Sequence, residues 1–100
     1  RIALNRGDLD EAERRHRGAL AIDRSLGDLK GESHELTRLG NIAKERGDLE
    51  EAERLYRGCI QISNESGFPL DDWYVKHGYT DPDAEWDFPP PDSENQTNPT

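Results

Sequence analysis

The chain is 100 residues long, room for one small domain. With 22 acidic and 13 basic side chains, a formal net charge of −9 and only 31% hydrophobic residues, it holds no run of 18 apolar residues to span a membrane. Nor does it hold the cationic surface by which a nucleic-acid binder displaces counterions. No basic stretch leading into an apolar one marks a secretory signal, and the single cysteine, Cys59, cannot close an internal disulfide. A cytoplasmic protein with no cofactor, no nucleic-acid partner and no membrane partner is expected. The chain begins at Arg1 and reads as a piece of something longer.

Taken in order, residues 1–6 read as the remnant of a helix, and Gly7-Asp8 as the link to the next. Residues 9–26 form a second helical segment with an apolar stripe at Leu9, Ala12, His16, Ala19, Leu20 and Ile22. Gly27-Asp28 repeats the link. Residues 29–46 follow, with Leu36, Leu39, Gly40 and Ala43 on the apolar face. His34, Thr37, Arg38, Asn41, Lys44 and Glu45 lie opposite. After a third link, Gly47-Asp48, residues 49–66 carry the stripe Leu49, Ala52, Leu55, Tyr56, Cys59, Ile60 and Ile62. In each link the glycine suits the left-handed cap that ends a helix. The aspartate suits the cap that starts one, and Glu11 and Glu51 stand at capping-box spacing three residues on. Links this short fold successive helices antiparallel. Acid–base pairs four apart, such as Glu11 with Arg15, Glu13 with Arg17 and Glu53 with Arg57, add about 0.3 kcal/mol each to solvated faces.

The pattern is a repeat. RGDLDEAERRHRGALAI at 6–22 and RGDLEEAERLYRGCIQI at 46–62 agree at 11 of 17 positions with a constant offset of 40. A period of that length belongs to solenoids of helix pairs. The tetratricopeptide pattern runs W-x2-L-G-x2-Y, A-x3-F, P. Leu36, Leu39, Gly40 and Ala43 fall in its first four places, Ala52 and Tyr56 in the next two, and Asn64 where proline is usual. Residues 1–67 therefore resemble the tetratricopeptide repeats, in their 40-residue form as in kinesin light chains and sensor ATPases. The resemblance implies an all-α antiparallel helix-pair solenoid. It also implies a non-enzymatic scaffold that binds a partner protein or peptide in a groove lined by His34, Thr37, Arg38, Asn41, Lys44 and Glu45. In clamp-type members a partner's terminal carboxylate is held at such positions, here Arg38 and Asn41. The alternative implied function is the C-terminal sensor array of a signalling ATPase or transcription regulator. Gly7, Asp8, Ala12, Gly47 and Asp48 would be structural repeat positions. With its first repeat cut short at the N-terminus, the stripe from Leu9 to Ile22 is expected to recruit an upstream repeat or a second copy, so self-association is expected.

After Gly67 the period stops. Residues 68–100 hold eight acids, one base (Lys76) and all six prolines. Residues 70–77 predict a short helix with Leu70, Trp73 and Tyr74 on one face and Gly78 as its stop, so residues 68–80 read as a cap over the last hydrophobic face. Residues 81–100 read as an acidic, proline-rich tail expected to be disordered, although Trp86 and Phe88 are apolar enough to fold back. The Arg-Gly-Asp tripeptides at 6–8 and 46–48 are accounted for as helix links. The acids from Asp81 to Asp92 have calcium-loop spacing, but Trp86 replaces the required turn glycine. No histidine pair has metal-ligand spacing and no metal site is expected. Gly18 and Gly58 fall in mid-helix without explanation, at about 1 kcal/mol each relative to alanine.

Overall fold

A computed structural model describes residues 6–90. Four helices follow in order: α1 (Arg6–Leu26), α2 (Leu29–Arg46), α3 (Leu49–Ser66) and the short α4 (Asp72–Lys76). Among the described residues there is no strand. α2 lies in the middle, packed on one side by α1 and on another by α3. The fold is the all-α helix-pair arrangement expected of a solenoid.

The two-residue links work through backbone chemistry. At the end of α2, Gly47 takes φ +83° and its N–H donates to Lys44 O at 3.0 Å, while Asp48 N–H donates to Ala43 O at 2.9 Å. These two bonds satisfy carbonyls that the helix end leaves open, and the left-handed turn they need is one that a Cβ disfavours. Asp48 then starts α3 by accepting Glu51 N–H on its carboxylate at 3.4 Å. The same geometry joins α1 to α2, with Gly27 at φ +72° and Asp28 accepting Gly31 N–H at 3.0 Å. The reciprocal half of the capping box is absent, because the Glu51 carboxylate turns outward to Arg54 at 2.7 Å.

The first expected link does not form. Gly7 and Asp8 lie within the opening turns of α1, and Gly7 is not among the glycines of positive φ. α1 runs unbroken through this dipeptide from Arg6, so no left-handed cap forms at Gly7. Asp8 instead stands in the first turn of α1, where a carboxylate suits the positive end of the helix dipole. The segment 1–5 of the expected first helix lies outside the described residues.

The core sits between α2 and α3. Leu36, Leu39, Ile42 and Ala43 face Ala52, Leu55, Tyr56, Cys59 and Ile60, all buried. Ala52, Tyr56 and Ile60 have no exposed surface. Burial of a side chain such as Leu39 stabilises by about 2 kcal/mol. Gly40 is required here: a Cβ at that position would stand 2.6 Å from Cε1 of Tyr56. The α1 stripe is only partly realised. Leu9 and Leu20 are buried and Ala12 packs against the core, but Ile22 is 59% exposed. Leu49, at the start of α3, is also exposed. His16, which aligns with Tyr56 across the repeat, instead joins Glu35 of α2 at 2.6 Å.

Residues 68–90 differ most from expectation. The helix is shorter than 70–77, running only Asp72–Lys76, and Gly78 closes it at φ +78°. Tyr74 has no exposed surface and Tyr79 only 4%. The stretch 81–90 contains no helix or strand, yet it is pinned to α3. Arg57 donates to the carbonyls of Pro82 and Ala84 at 2.6 and 2.8 Å, and its guanidinium lies 4.1 Å from the Trp86 ring centroid. Tyr79 stacks on Trp86 at 4.4 Å and donates its hydroxyl to Asp87 O at 2.8 Å. The expected disorder therefore does not hold for 81–90, because rings and carbonyls there meet partners on α3. Residues 91–100 lie outside the described residues.

Candidate binding surface

Four directions around α2 organise the surface. Toward α3 point Leu36, Leu39, Gly40 and Ala43. Toward α1 stand Glu35, bonded to His16, and Arg46, which bonds Asp10 and Glu13. Arg46 and Arg17 together hold the Glu13 carboxyl below the ordinary carboxylate range. Near the start of α2, Asp23 faces the other way energetically. Loss of hydration, then the nearby carboxylates of Asp28, Glu35 and Glu32, raise its pKa.

The third direction is toward residues 68–90, and it takes two of the expected groove residues. Thr37 lies with its hydroxyl 2.6 Å from the Tyr74 hydroxyl and 3.2 Å from Cys59 Sγ. Lys44 holds its ammonium 5.3 Å from the Trp73 ring centroid. Beneath them Tyr56 meets Trp73, Tyr74 and Phe88 at centroid distances of 4.9, 5.8 and 5.8 Å. Burial drives the Tyr56 and Tyr74 hydroxyls well above the usual phenol range. At physiological pH both remain neutral hydrogen-bonding groups.

The fourth direction is open. His34, Arg38, Asn41 and Glu45 are exposed along one stripe of α2, with Lys30 one turn before His34. Asn41 is tethered: its Oδ1 accepts the Tyr56 hydroxyl at 2.6 Å. Of the six residues expected to line a groove, the structure thus leaves four on one open strip and turns Thr37 and Lys44 under the chain's own C-terminal segment. Between that segment and α2 lies a cleft of about 220 Å³, bounded by Lys30, Ser33, His34 and Thr37 on one side and by Phe68, Pro69, Leu70, Asp71 and Tyr74 on the other. Sequence reasoning missed this cleft and the covering of Thr37 and Lys44. A signal was present, since six of the seven aromatic residues fall between Phe68 and Phe88, and disordered segments are poor in aromatics.

Among the described residues no group of three His, Cys, Asp or Glu side chains is placed to hold a metal ion. Asp81, first of the calcium-like spacing, instead accepts Asp83 N–H at 2.9 Å and, through its carbonyl, the Trp86 indole at 3.1 Å. No described helix is long and apolar enough to cross a membrane.

Comparison with known families bears on the helices that build this surface. Residues 36–66 match the family model of the tetratricopeptide repeat. The chain carries a tetratricopeptide repeat. The match opens at Leu36 within α2 and ends at the last residue of α3, so these two helices are the first and second of the repeat. No curated protein and no solved structure matches the chain. Tetratricopeptide repeats are modules of protein–protein interaction, and α1 packs against the first helix of this one.

Proposed function

We propose that this chain is a protein-interaction module that offers the open strip of α2 to a partner, while residues 68–90 close the solenoid behind it. The observation that carries the reading is the division of α2. Thr37 and Lys44 are engaged by Tyr74 and Trp73, and the strip from Lys30 through His34 and Arg38 to Asn41 is exposed and continuous. A repeat array exposes a hydrophobic face at its end unless something covers it. Here the aromatic segment takes that place, with Tyr74 and Tyr79 buried against the repeat. Exposed polar side chains gathered on one helix face beside an apolar cleft are what a peptide partner needs, a few fixed polar contacts and one apolar seat.

The test is site-specific photo-crosslinking. A benzophenone side chain placed at His34 should give a defined adduct with a partner protein in extracts of the source cells. The same group at Gln61, exposed on α3, should not. Equal labelling from both positions, or none at His34, would count against the reading.

A further inference from the structure

Among the described residues the arginines are mostly ion-paired, and the cations left over are gathered chiefly on one face of α2. Seven arginines, from Arg14 to Arg57, each hold a carboxylate. Lys30, His34 and Arg38 have no ion-pair or side-chain hydrogen-bond partner among the described residues. In a chain of net charge −9, local acids are plentiful, so three basic side chains left without partners on one helix face stand out. An incoming acid meets them without breaking an internal pair. Asn41 adds to the same polarity. Its oxygen accepts the Tyr56 hydroxyl, and its amide nitrogen adds two N–H donors to the exposed strip. The strip is therefore a row of donors, flanked by Asp71 at the cleft and Glu45 at its far end.

The cleft beside Lys30 and His34 supplies the second feature, an apolar wall of Phe68, Leu70 and Tyr74. Lys30 and Arg38 are eight residues apart on α2, about 12 Å along the axis. An extended peptide rises about 3.3 Å per residue and turns alternate side chains to one side. Acids four residues apart therefore match the two cations, and a residue midway between them faces the same way.

We propose that the open strip binds an extended acidic peptide through its side-chain carboxylates, with one apolar side chain of that peptide seated in the cleft beside Tyr74. This rests on the reading of the α2 strip as an interaction surface and names the chemistry of its partner.

The experiment uses the full chain and fluorescently labelled peptides blocked at both ends, so that no terminal carboxylate contributes. The probes are ESFSE, QSFSQ, ESASE and KSFSK, followed by anisotropy. ESFSE should bind at least about fivefold more tightly than QSFSQ, as expected for two exposed charge pairs, and that margin should shrink between about 20 and 300 mM salt, where the screening length falls from about 22 to about 6 Å. ESASE should bind about tenfold more weakly than ESFSE, having lost its buried ring. Lys30→Glu and Arg38→Glu sit at exposed positions and should leave the helical melting curve unchanged. Each should weaken ESFSE, and the double variant should prefer KSFSK. ESFSE binding no better than QSFSQ, or undisturbed by both charge reversals, overturns the proposal. In the first case, QSFSQ binding with a change in Trp73 fluorescence leaves the wider interaction reading standing. If no peptide binds, the proposal fails, and crosslinking at His34 decides the wider reading separately.

Discussion

Gly40→Ala is the sharpest test of the packing, because two effects of known sign compete there. Alanine in place of a mid-helix glycine ordinarily stabilises by about 1 kcal/mol. At Gly40 the new Cβ would stand 2.6 Å from Cε1 and 2.8 Å from Cδ1 of Tyr56, well inside van der Waals contact. A flexible side chain could retreat. Tyr56 cannot, since it has no exposed surface, is hemmed by Trp73, Tyr74 and Phe88, and is tied by its hydroxyl to Asn41. Overpacking of such a site costs about 1–3 kcal/mol, and with rigid neighbours the upper half of that range is expected. The net effect should be a loss of about 1–2 kcal/mol, combining the two terms. For a domain of this size that lowers Tm by roughly 4–16 °C. Thermal melting by circular dichroism, with urea unfolding to check that the m-value is unchanged, measures it. The double variant Gly40→Ala/Tyr56→Ala should show strong coupling, the alanine at 40 no longer costing anything once the ring is gone. A neutral or stabilising Gly40→Ala in the otherwise native chain would refute the Tyr56 placement.

Gly18→Ala should go the other way, raising stability by about 1 kcal/mol, because nothing lies within 4 Å of its Cβ position; urea midpoints of the two glycine variants give the contrast directly. Thr37→Val should cost about 1–3 kcal/mol by leaving the fully buried Tyr74 hydroxyl with only the weak thiol partner Cys59, and Tyr74→Phe should cost less, since Thr37 keeps Ser33 O and Cys59 Sγ at 3.2 Å. Acid should unfold the protein through carboxylates whose pKa is lowered by their arginines. Glu13, held by Arg46 and Arg17, contributes stability that is full above its ordinary value of 4.5 and is lost as pH falls through the lowered value. Asp23 has the opposite sign. Its raised pKa makes the folded state favour the protonated form, so stability is lost as pH rises past 3.8. Asp23→Asn should therefore raise the urea midpoint at pH 7 and lose that advantage near pH 3.

Much of the helical frame was legible because it is written locally. The Gly-Asp pairs at 27–28 and 47–48 carry both a left-handed cap and a helix start, and the boundaries of α2 and α3 follow from them. Leu36, Leu39, Ala52, Tyr56 and Ile60 were legible as core from spacing alone. The same local signal misled at Gly7-Asp8, which lie within the opening turns of α1 instead of ending one helix and starting another. The candidate surface was legible only in part. Periodicity places His34, Thr37, Arg38, Asn41, Lys44 and Glu45 away from the core, but it cannot say that Thr37 and Lys44 turn beneath Tyr74 and Trp73. That contact joins residues 29 and 37 positions apart in the chain. Residues 81–90 were obscured by their prolines and acids. Their attachment runs through backbone carbonyls received by Arg57 and through ring stacking, neither of which leaves a periodic trace.

Which strip of α2 stays open depends on residues 68–90 being part of the folded repeat. Native-state hydrogen exchange reads this at single residues. The Tyr79 amide donates to Tyr74 O at 2.8 Å within a segment whose two tyrosines are buried. If the segment closes the repeat, the Tyr79 amide should exchange with an opening free energy close to that of Ile60 in the middle of α3, since both would open in the same cooperative unit. Exchange of the Tyr79 amide at the rate of an unprotected peptide, with Ile60 still strongly protected, would contradict it.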